Sequence, residues 1–143
     1  MPIRLAHIDD HAGISRLLAQ LEYPGTEGFL QTRLATMLAD PAETLLVWAE
    51  DPAPTILAFL SLHFIPQIAL QGDFARISYF AVDDTARSKG IGRQLEETAT
   101  RLARERGCTL LEVHCHSRRS RAHDFYRRQG YEESPKYLIK KLQ

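Results

Sequence analysis

The stretch Val82-Asp-Asp-Thr-Ala-Arg-Ser-Lys-Gly-Ile-Gly-Arg93 sets the interpretation of the whole chain. An apolar β-prone run precedes it and apolar residues at helical spacing follow, so it predicts a strand, a loop and a helix that begins at the glycines. A helix N-terminus binds anions through its unpaired N–H groups and partial positive charge. Gly90 and Gly92 lack the Cβ atoms that would keep a phosphate away, and both allow positive φ. Three cationic residues lie in the same stretch: Arg87, Lys89 and Arg93. Together these features predict a pyrophosphate site.

Three phosphate-binding motifs compete for this stretch. A Walker A loop requires G-x-x-x-x-G-K-[ST], which is absent, and the dinucleotide fingerprint requires a third glycine that does not follow Gly92. The hexapeptide Arg87-Ser-Lys-Gly90-Ile-Gly92 instead matches R-x-x-G-x-G at every fixed position. It resembles the acetyl-CoA pyrophosphate loop of the GNAT superfamily of N-acetyltransferases. The alternative interpretation is a glycine-containing helix start that binds nothing.

A second motif in the C-terminal part supports the resemblance independently. Ala122-His-Asp-Phe125-Tyr126-Arg-Arg-Gln-Gly130-Tyr131 resembles the A-x-x-F-Y-x-x-x-G-F/Y signature of the same superfamily, and it begins 30 residues after Gly92. Both motifs occur in the order and at the spacing of the family. By motif, the resemblance covers about residues 75–142, whereas the first half of the chain matches only in the order of its elements. Arg119 stands where many members carry asparagine, which changes one polar contact near the cofactor.

The resemblance implies a cofactor site between two splayed parallel strands, here 75–82 and 109–116. Acetyl-CoA would be the cosubstrate, with its pantetheine amides bonded by the backbone of the first strand and its thioester carbonyl polarised by an N–H at a bulge. Tyr126 would protonate the leaving thiolate, although a core tyrosine of an amphipathic helix is the alternative. The implied cofactor-binding residues are Phe80, Ala81, Val82, Arg87, Ser88, Lys89, Gly90, Ile91, Gly92, Arg93, Arg119 and Tyr126.

The general base is less clear from the sequence. Acyl transfer requires a neutral amine, so a group must remove the proton of the ammonium ion. Many family members use a glutamate on the strand before the loop, but residues 76–82 contain no carboxylate. Glu112, His114 and His116 alternate with apolar residues on the next strand, which predicts that they share one face. We expect Glu112 and His114 to serve directly or through a water, with a surface or structural role as the alternative.

No metal site is predicted. His114 and His116 could share a metal ion, but the sequence offers no evident third ligand.

His63 could line the acceptor pocket, although a buried histidine with a satisfied hydrogen bond is the favoured interpretation. The acceptor is expected to contact residues 22–28 and 66–73, where Glu22, Glu27 and Asp73 could attract a cationic amine.

The order of elements predicts a mixed α/β fold with a central mixed sheet flanked by helices, in the order β-α-α-β-β-β-α-β-α-β, as one domain over residues 1–143. The expected strands lie at 3–7, 44–49, 56–65, 75–82, 109–116 and within 131–142, the last as one or two strands. Asp9 or Asp10 is expected to cap the first helix and Thr26 the second. Gly107 is expected at the end of the third helix, and the fourth is expected at 119–129.

Composition limits the classes of function. The chain has 143 residues, 25% charged, and a formal net charge of +0, so there is no global attraction to nucleic acid or to an anionic membrane. Two cysteines, no signal-peptide core and no long apolar run predict a cytoplasmic protein without disulfides. A DNA-binding role for the arginines at 118–128 is therefore disfavoured.

The favoured function is transfer of an acetyl group from acetyl-CoA to the primary amine of a small molecule. The last third of the chain looks especially similar to small-molecule members such as aminoalkylphosphonate N-acetyltransferases, but Arg76 and Tyr79 replace acidic residues of that subgroup. The alternatives are acetylation of a protein lysine or N-terminus, and a CoA-binding regulatory module without turnover. A homodimer is expected by analogy with the family.

Overall fold

The computed structural model describes residues 2–50, 55–114, 119–134 and 138–143. The helices and strands are β1 (Ile3–Leu5), α1 (His11–Gln20), α2 (Leu30–Leu38), β2 (Glu43–Ala49), β3 (Ile56–Ile65), β4 (Phe74–Val82), α3 (Ile91–Glu105), β5 (Leu110–Val113) and α4 (Ser120–Arg128). Single 3₁₀ turns precede α1 and α3. The prediction of a mixed α/β fold is confirmed.

Five strands form one sheet in the order β1-β2-β3-β4-β5. Neighbours are antiparallel except for β4 and β5, which are parallel and joined through α3. Helices α1 and α2 cover one face of the sheet and α3 covers the other, so that two hydrophobic cores form. The sheet is therefore mixed, as the order of elements predicts.

The long apolar strand β3 explains why both faces must be covered. Leu60 and Leu62 are fully buried in the core beneath α3, whereas Phe59 is buried in the core beneath α1 and α2. Successive side chains of a strand point to opposite faces, so an uninterrupted apolar run requires packing on both sides. This central strand fixes the position of its neighbour β4, which carries the candidate site.

One predicted helix cap is correct in position only, and the other is wrong. Asp10 occupies the N-cap position of α1, but its carboxylate makes no bond to that helix. It accepts at 2.8 Å from the backbone N–H of His7, as part of a capping box on the preceding 3₁₀ turn, and at 2.8 Å from Arg4. Helix α2 begins at Leu30 rather than near Thr26, whose hydroxyl pairs with that of Ser15 at 2.7 Å. In both cases the side chain bonds to a group outside the helix that local preference assigns it to cap.

The predicted closing strand is also wrong for the residues described. Residues 131–134 and 138–143 contain no strand. Leu138, Ile139 and Leu142 are 96%, 78% and 87% exposed, so residues 138–143 bury no face against the sheet. Apolar composition alone does not make a strand without an edge to pair with or a face to cover. The expected turn at 51–54 lies outside the described residues.

Candidate active site

Strand β5 pairs with only the first part of β4 in the described residues. Their pairing runs from Phe74 and Leu110 to Ile77 and Val113, and then stops, although β4 continues to Val82. The register with β3 passes from Ile77 directly to Tyr79, which leaves an extra residue on β4 and forms a bulge. Beyond this bulge, no residue in the described part of β5 pairs with β4; we call the edge of β4 at residues 79–82 its open edge.

The loop after β4 is held in place by Asp83. This carboxylate is 7% exposed and accepts from the backbone N–H of Thr85 at 2.9 Å and from its hydroxyl at 2.7 Å. Arg16 of α1 also pairs with it and donates to the carbonyl of Ile56 at 2.8 Å. The two bonds from Thr85, followed by the bond from Arg16, hold the pKa of Asp83 well below its usual range. Asp83 thus ties the loop to α1.

Replacing Asp83 by asparagine should lower the free energy of unfolding at pH 7 by about 2 kcal/mol, because a charged, buried acceptor is lost. A carboxyl group whose pKa is depressed in the folded state stabilises the folded protein at pH values above its unfolded pKa of about 3.9. This stabilisation is lost as the pH falls below that value. The difference in the free energy of unfolding between wild type and Asp83→Asn, measured in urea, should therefore be nearly constant from pH 7 to about pH 5 and shrink as the pH falls below about 4. Glu105→Gln is the control: its ion pair with Arg101 is 59% exposed on both sides and should contribute below about 0.5 kcal/mol. Equal losses in the two variants would contradict the role of Asp83.

The two glycines at the start of α3 differ in backbone conformation. Gly90 precedes the helix with φ 80° and ψ 6°, a left-handed conformation that favours glycine. Gly92 lies inside the first turn without a positive φ, and a Cβ there would make only ordinary contact with Phe125 at 3.6 Å and Val82 at 3.7 Å. The expectation of positive φ therefore holds at Gly90 and fails at Gly92. Nothing in the protein itself requires glycine at 92, which is consistent with close approach by a ligand.

A cavity of about 780 Å³ opens where the open edge of β4, the start of α3 and helix α4 meet. Its volume lies within the range of small-molecule sites. It is lined by Gln20, Leu21, Phe80, Ala81, Val82, Ala86, Arg87, Ser88, Gly90, Ile91, Gly92, Arg93, Arg119, Ser120, Arg121, Ala122, Phe125, Tyr126, Arg128 and Gln129. Every cofactor residue predicted from sequence is among them except Lys89, which is exposed on the loop. Two motifs far apart in the chain thus line one cavity.

Helix α4 supplies the wall opposite the loop. Phe125 packs edge-to-face on Phe80 of β4 with 6.0 Å between ring centroids, and Tyr126 packs in the same way on Phe125 at 5.3 Å. Tyr126 is half-buried and lines the cavity. The aromatic contacts therefore bring the Tyr126 side chain to the open edge of β4.

The end of α1 closes the cavity, which the sequence did not predict. Arg119, just before α4, donates to the carbonyl of Leu21 at 2.7 Å and to Glu22 at 3.2 Å. Gln20 accepts from the backbone N–H of Asp84 at 2.9 Å. The sequence around Gln20 and Leu21 has no motif that predicts contact with residues more than 60 positions away. Arg119 keeps further N–H donors for a ligand, since a guanidinium has five.

The candidate base residues lie together but outside the cavity lining. Glu112 of β5 accepts from Arg76 of β4 at 2.6 Å, and His114 lies 3.4 Å from the same carboxylate. The alternation of β5 places Glu112 on the face of the sheet opposite α3, because its neighbours Leu111 and Val113 pack on the α3 side. Cys115 and His116 lie outside the described residues. Within the described ranges, no cluster of three or more metal-ligating side chains is present.

The face of the sheet beside these residues carries polar and aromatic groups. His63 is half-buried and bonded to Glu43 across β2 and β3, which matches the favoured interpretation of a satisfied histidine. Tyr79, next to the bulge, packs edge-to-face on Tyr23 with 5.2 Å between centroids, and both residues remain more than 40% exposed.

In the ranges that the structure describes, no helix is both long and apolar enough to cross a bilayer.

Comparison with known proteins gives a consistent result. The model of the acetyltransferase (GNAT) family matches residues 13–131, most of the chain. A transcriptional regulator from Bacillus halodurans has a similar structure, with a TM-score of 0.90, 26% identity and 98% of each chain covered. Glucosamine-6-phosphate N-acetyltransferase from Arabidopsis thaliana gives 0.85 at 22% identity, covering 99% of this chain and 97% of its own.

A GNAT family acetyltransferase from Staphylococcus aureus gives a TM-score of 0.82 at 20% identity, covering 99% of this chain and 100% of its own. No curated protein matches the sequence. At such identities the structural neighbours show the shared fold, whereas the family model identifies the chain directly. The chain belongs to the acetyltransferase (GNAT) family.

Proposed function

We propose that this N-acetyltransferase transfers the acetyl group of acetyl-CoA to the primary amine of a small molecule by direct attack on the thioester. The observation that carries the proposal is the cavity in which the Arg87–Gly92 loop, the open edge of β4 and Tyr126 meet. The family generally uses acetyl-CoA, and the residues that line this cavity support binding of its pyrophosphate and pantetheine parts. The proposal treats the chain as one catalytic unit.

The loop and α3 would bind the pyrophosphate. The first N–H groups of α3 are not used by the helix itself, and together with the helix dipole they favour an anion. Arg87 and Arg93 line the cavity at the same end, and their partners Asp84 and Glu97 are exposed, so each guanidinium can exchange a weak surface pair for a phosphate. The pantetheine arm would then lie along β4 from Val82 towards the bulge and pair with its backbone like an added strand.

Tyr126, Glu112 and His114 are assigned the proton transfers. The amine nitrogen attacks the thioester carbon, and the carbon–sulfur bond breaks with its electron pair moving to sulfur. The Tyr126 hydroxyl gives its proton to that sulfur and is reprotonated from solvent. Before the attack, His114 takes the proton of the ammonium ion, directly or through a water, while Glu112 orients the imidazole. The second proton of the nitrogen passes to solvent as the amide forms. A backbone N–H at the β4 bulge would stabilise the negative charge on the carbonyl oxygen.

The acceptor would approach from the side of Tyr23 and Tyr79. Exposed aromatic faces attract ammonium ions, with about 0.5–1 kcal/mol at accessible sites. These groups suit a compact cationic amine. Acceptor identity, homodimer formation and a cytoplasmic location stay predictions.

The test is acetyl-CoA-dependent release of free thiol against a panel of alkylamines, amino sugar phosphates, aminophosphonates and lysine peptides. We expect turnover with one class of small amine and little with peptides. Turnover with peptides alone would replace the small-molecule acceptor by a protein. No turnover with any acceptor, together with micromolar CoA binding, would favour a regulatory module.

Once an acceptor is known, Glu112→Gln should lower kcat most at neutral and lower pH, because the amine is protonated there and needs a base. The measurement is kcat as a function of pH for the wild type and the variant. A variant whose pH profile matches that of the wild type would remove the base assignment.

A further inference from the structure

A buried carboxylate on α3 has no part in the chemistry described so far. Glu96 is 4% exposed, in the second turn of α3, among the apolar residues that pack on the sheet. Its Oε2 accepts from the hydroxyl of Tyr131 at 2.8 Å and from that of Thr100 at 2.9 Å. Burial of a carboxylate is unfavourable unless it is hydrogen-bonded, and an apolar residue would fill this position at lower cost. The presence of Glu96 therefore calls for a function beyond packing.

Tyr131 connects this carboxylate to the active site. Its ring lies edge-to-face with that of Tyr126, 5.4 Å between centroids and 69° between planes. Its backbone N–H also donates to the carbonyl of Tyr126 at 3.0 Å. The contacts continue through Phe125 to Phe80, so an aromatic chain crosses the cavity wall from α3 to β4. The position of the Tyr126 ring thus depends on where Tyr131 is held.

The hydrogen bond between Tyr131 and Glu96 is well suited to a fixed anchor. Burial, followed by the neighbouring charge of Glu96, holds the pKa of Tyr131 far above its usual range, so the hydroxyl stays protonated and donates. A hydrogen bond to a charged acceptor is about twice as strong as one between neutral groups. α3 also carries the proposed pyrophosphate site at its first turn, so a single rigid helix locates both the cofactor and the tyrosine.

We propose that Glu96 and Tyr131 are positioning residues that hold the Tyr126 hydroxyl against the thioester sulfur. The inference rests on the proposed acid role of Tyr126. It assigns a function to the family's terminal F/Y position in this chain: tyrosine at 131 anchors the ring to α3, which phenylalanine could not do. Because Tyr131 acts through Tyr126, its effect should exist only when the Tyr126 hydroxyl is present.

The test uses full-length Tyr131→Phe, Tyr126→Phe and the double variant. Tyr131→Phe should lower kcat about tenfold, a part of the 10²–10⁴ that a positioned acid contributes, and leave the KM for acetyl-CoA within about twofold. In the Tyr126→Phe background the same change should have little further effect, since the pathway is already lost. Thr100→Val is the matched control: it removes the other bond to Glu96 and should leave kcat within about twofold.

Two results would overturn the inference. One is an unchanged kcat in Tyr131→Phe while Tyr126→Phe is impaired. The other is an equal loss of kcat from Tyr131→Phe with and without the Tyr126 hydroxyl, which would indicate a general structural effect. If Tyr126→Phe alone retains full activity, the acid assignment fails first, and this outcome is distinct from the other two. Urea unfolding of each variant separates lost stability from lost positioning.

Discussion

Gly90→Asp should raise the Kd for coenzyme A by at least about 100-fold, which corresponds to about 3 kcal/mol. Two effects act together. The carboxylate places a negative charge at the anion site of α3, where a phosphate is expected to bind. A side chain at φ 80° also strains the turn by about 1–2 kcal/mol and disturbs the N–H groups that follow. Calorimetric titration of the protein with coenzyme A measures the change.

Gly107→Asp separates these two effects. Gly107 ends the same helix with φ 82°, and neither glycine has an atom within 4 Å of where a Cβ would stand. The backbone strain is therefore matched, but Gly107 does not line the cavity. We expect this control to lose stability and keep its affinity for coenzyme A within about twofold. Unchanged affinity in Gly90→Asp, or an equal loss in Gly107→Asp, would contradict the pyrophosphate assignment.

The parts of the site that could be predicted from the sequence depend on interactions between residues close together in the chain. The stretch from Val82 to Gly92 combines a strand end, a positive φ at Gly90 and a helix start, and α4 carries its apolar residues at helical spacing. Gly107 was predicted to end α3 and does so in the left-handed conformation. Each of these features is decided by residues within a turn or two of each other, so the sequence alone determines them.

The parts that failed depend on residues distant in the chain. Arg119 bonds to Leu21 across 98 positions, and no local pattern indicates that the end of α1 closes the cavity. Glu96 looks like a solvated helix position: Thr100 lies one turn away on α3, but Tyr131, which donates the other hydrogen bond to the buried carboxylate, lies 35 positions away. In both cases a polar side chain has a partner that only the fold brings near.

Tyr126→Phe is the most direct test of the chemistry, and we expect kcat to fall by about 10²-fold or more. The change removes one hydroxyl and keeps the ring, so the edge-to-face contacts with Phe125 and Tyr131 are retained. The hydroxyl is proposed to act only as the thiolate leaves, so the KM for acetyl-CoA should stay within about twofold. Steady-state kinetics with the acceptor found in the panel give both values.

Tyr79→Phe is the matched control for this change. Tyr79 also makes an edge-to-face contact, at 5.2 Å with Tyr23. The variant keeps the ring that is proposed to face the acceptor and removes only a hydroxyl that has no role in the proposed proton transfers. It should keep kcat within about threefold. Equal activity in Tyr126→Phe and wild type would remove Tyr126 from the acid role. A solvent-derived proton would then have to reach the sulfur, because the thiolate still requires one to leave as thiol.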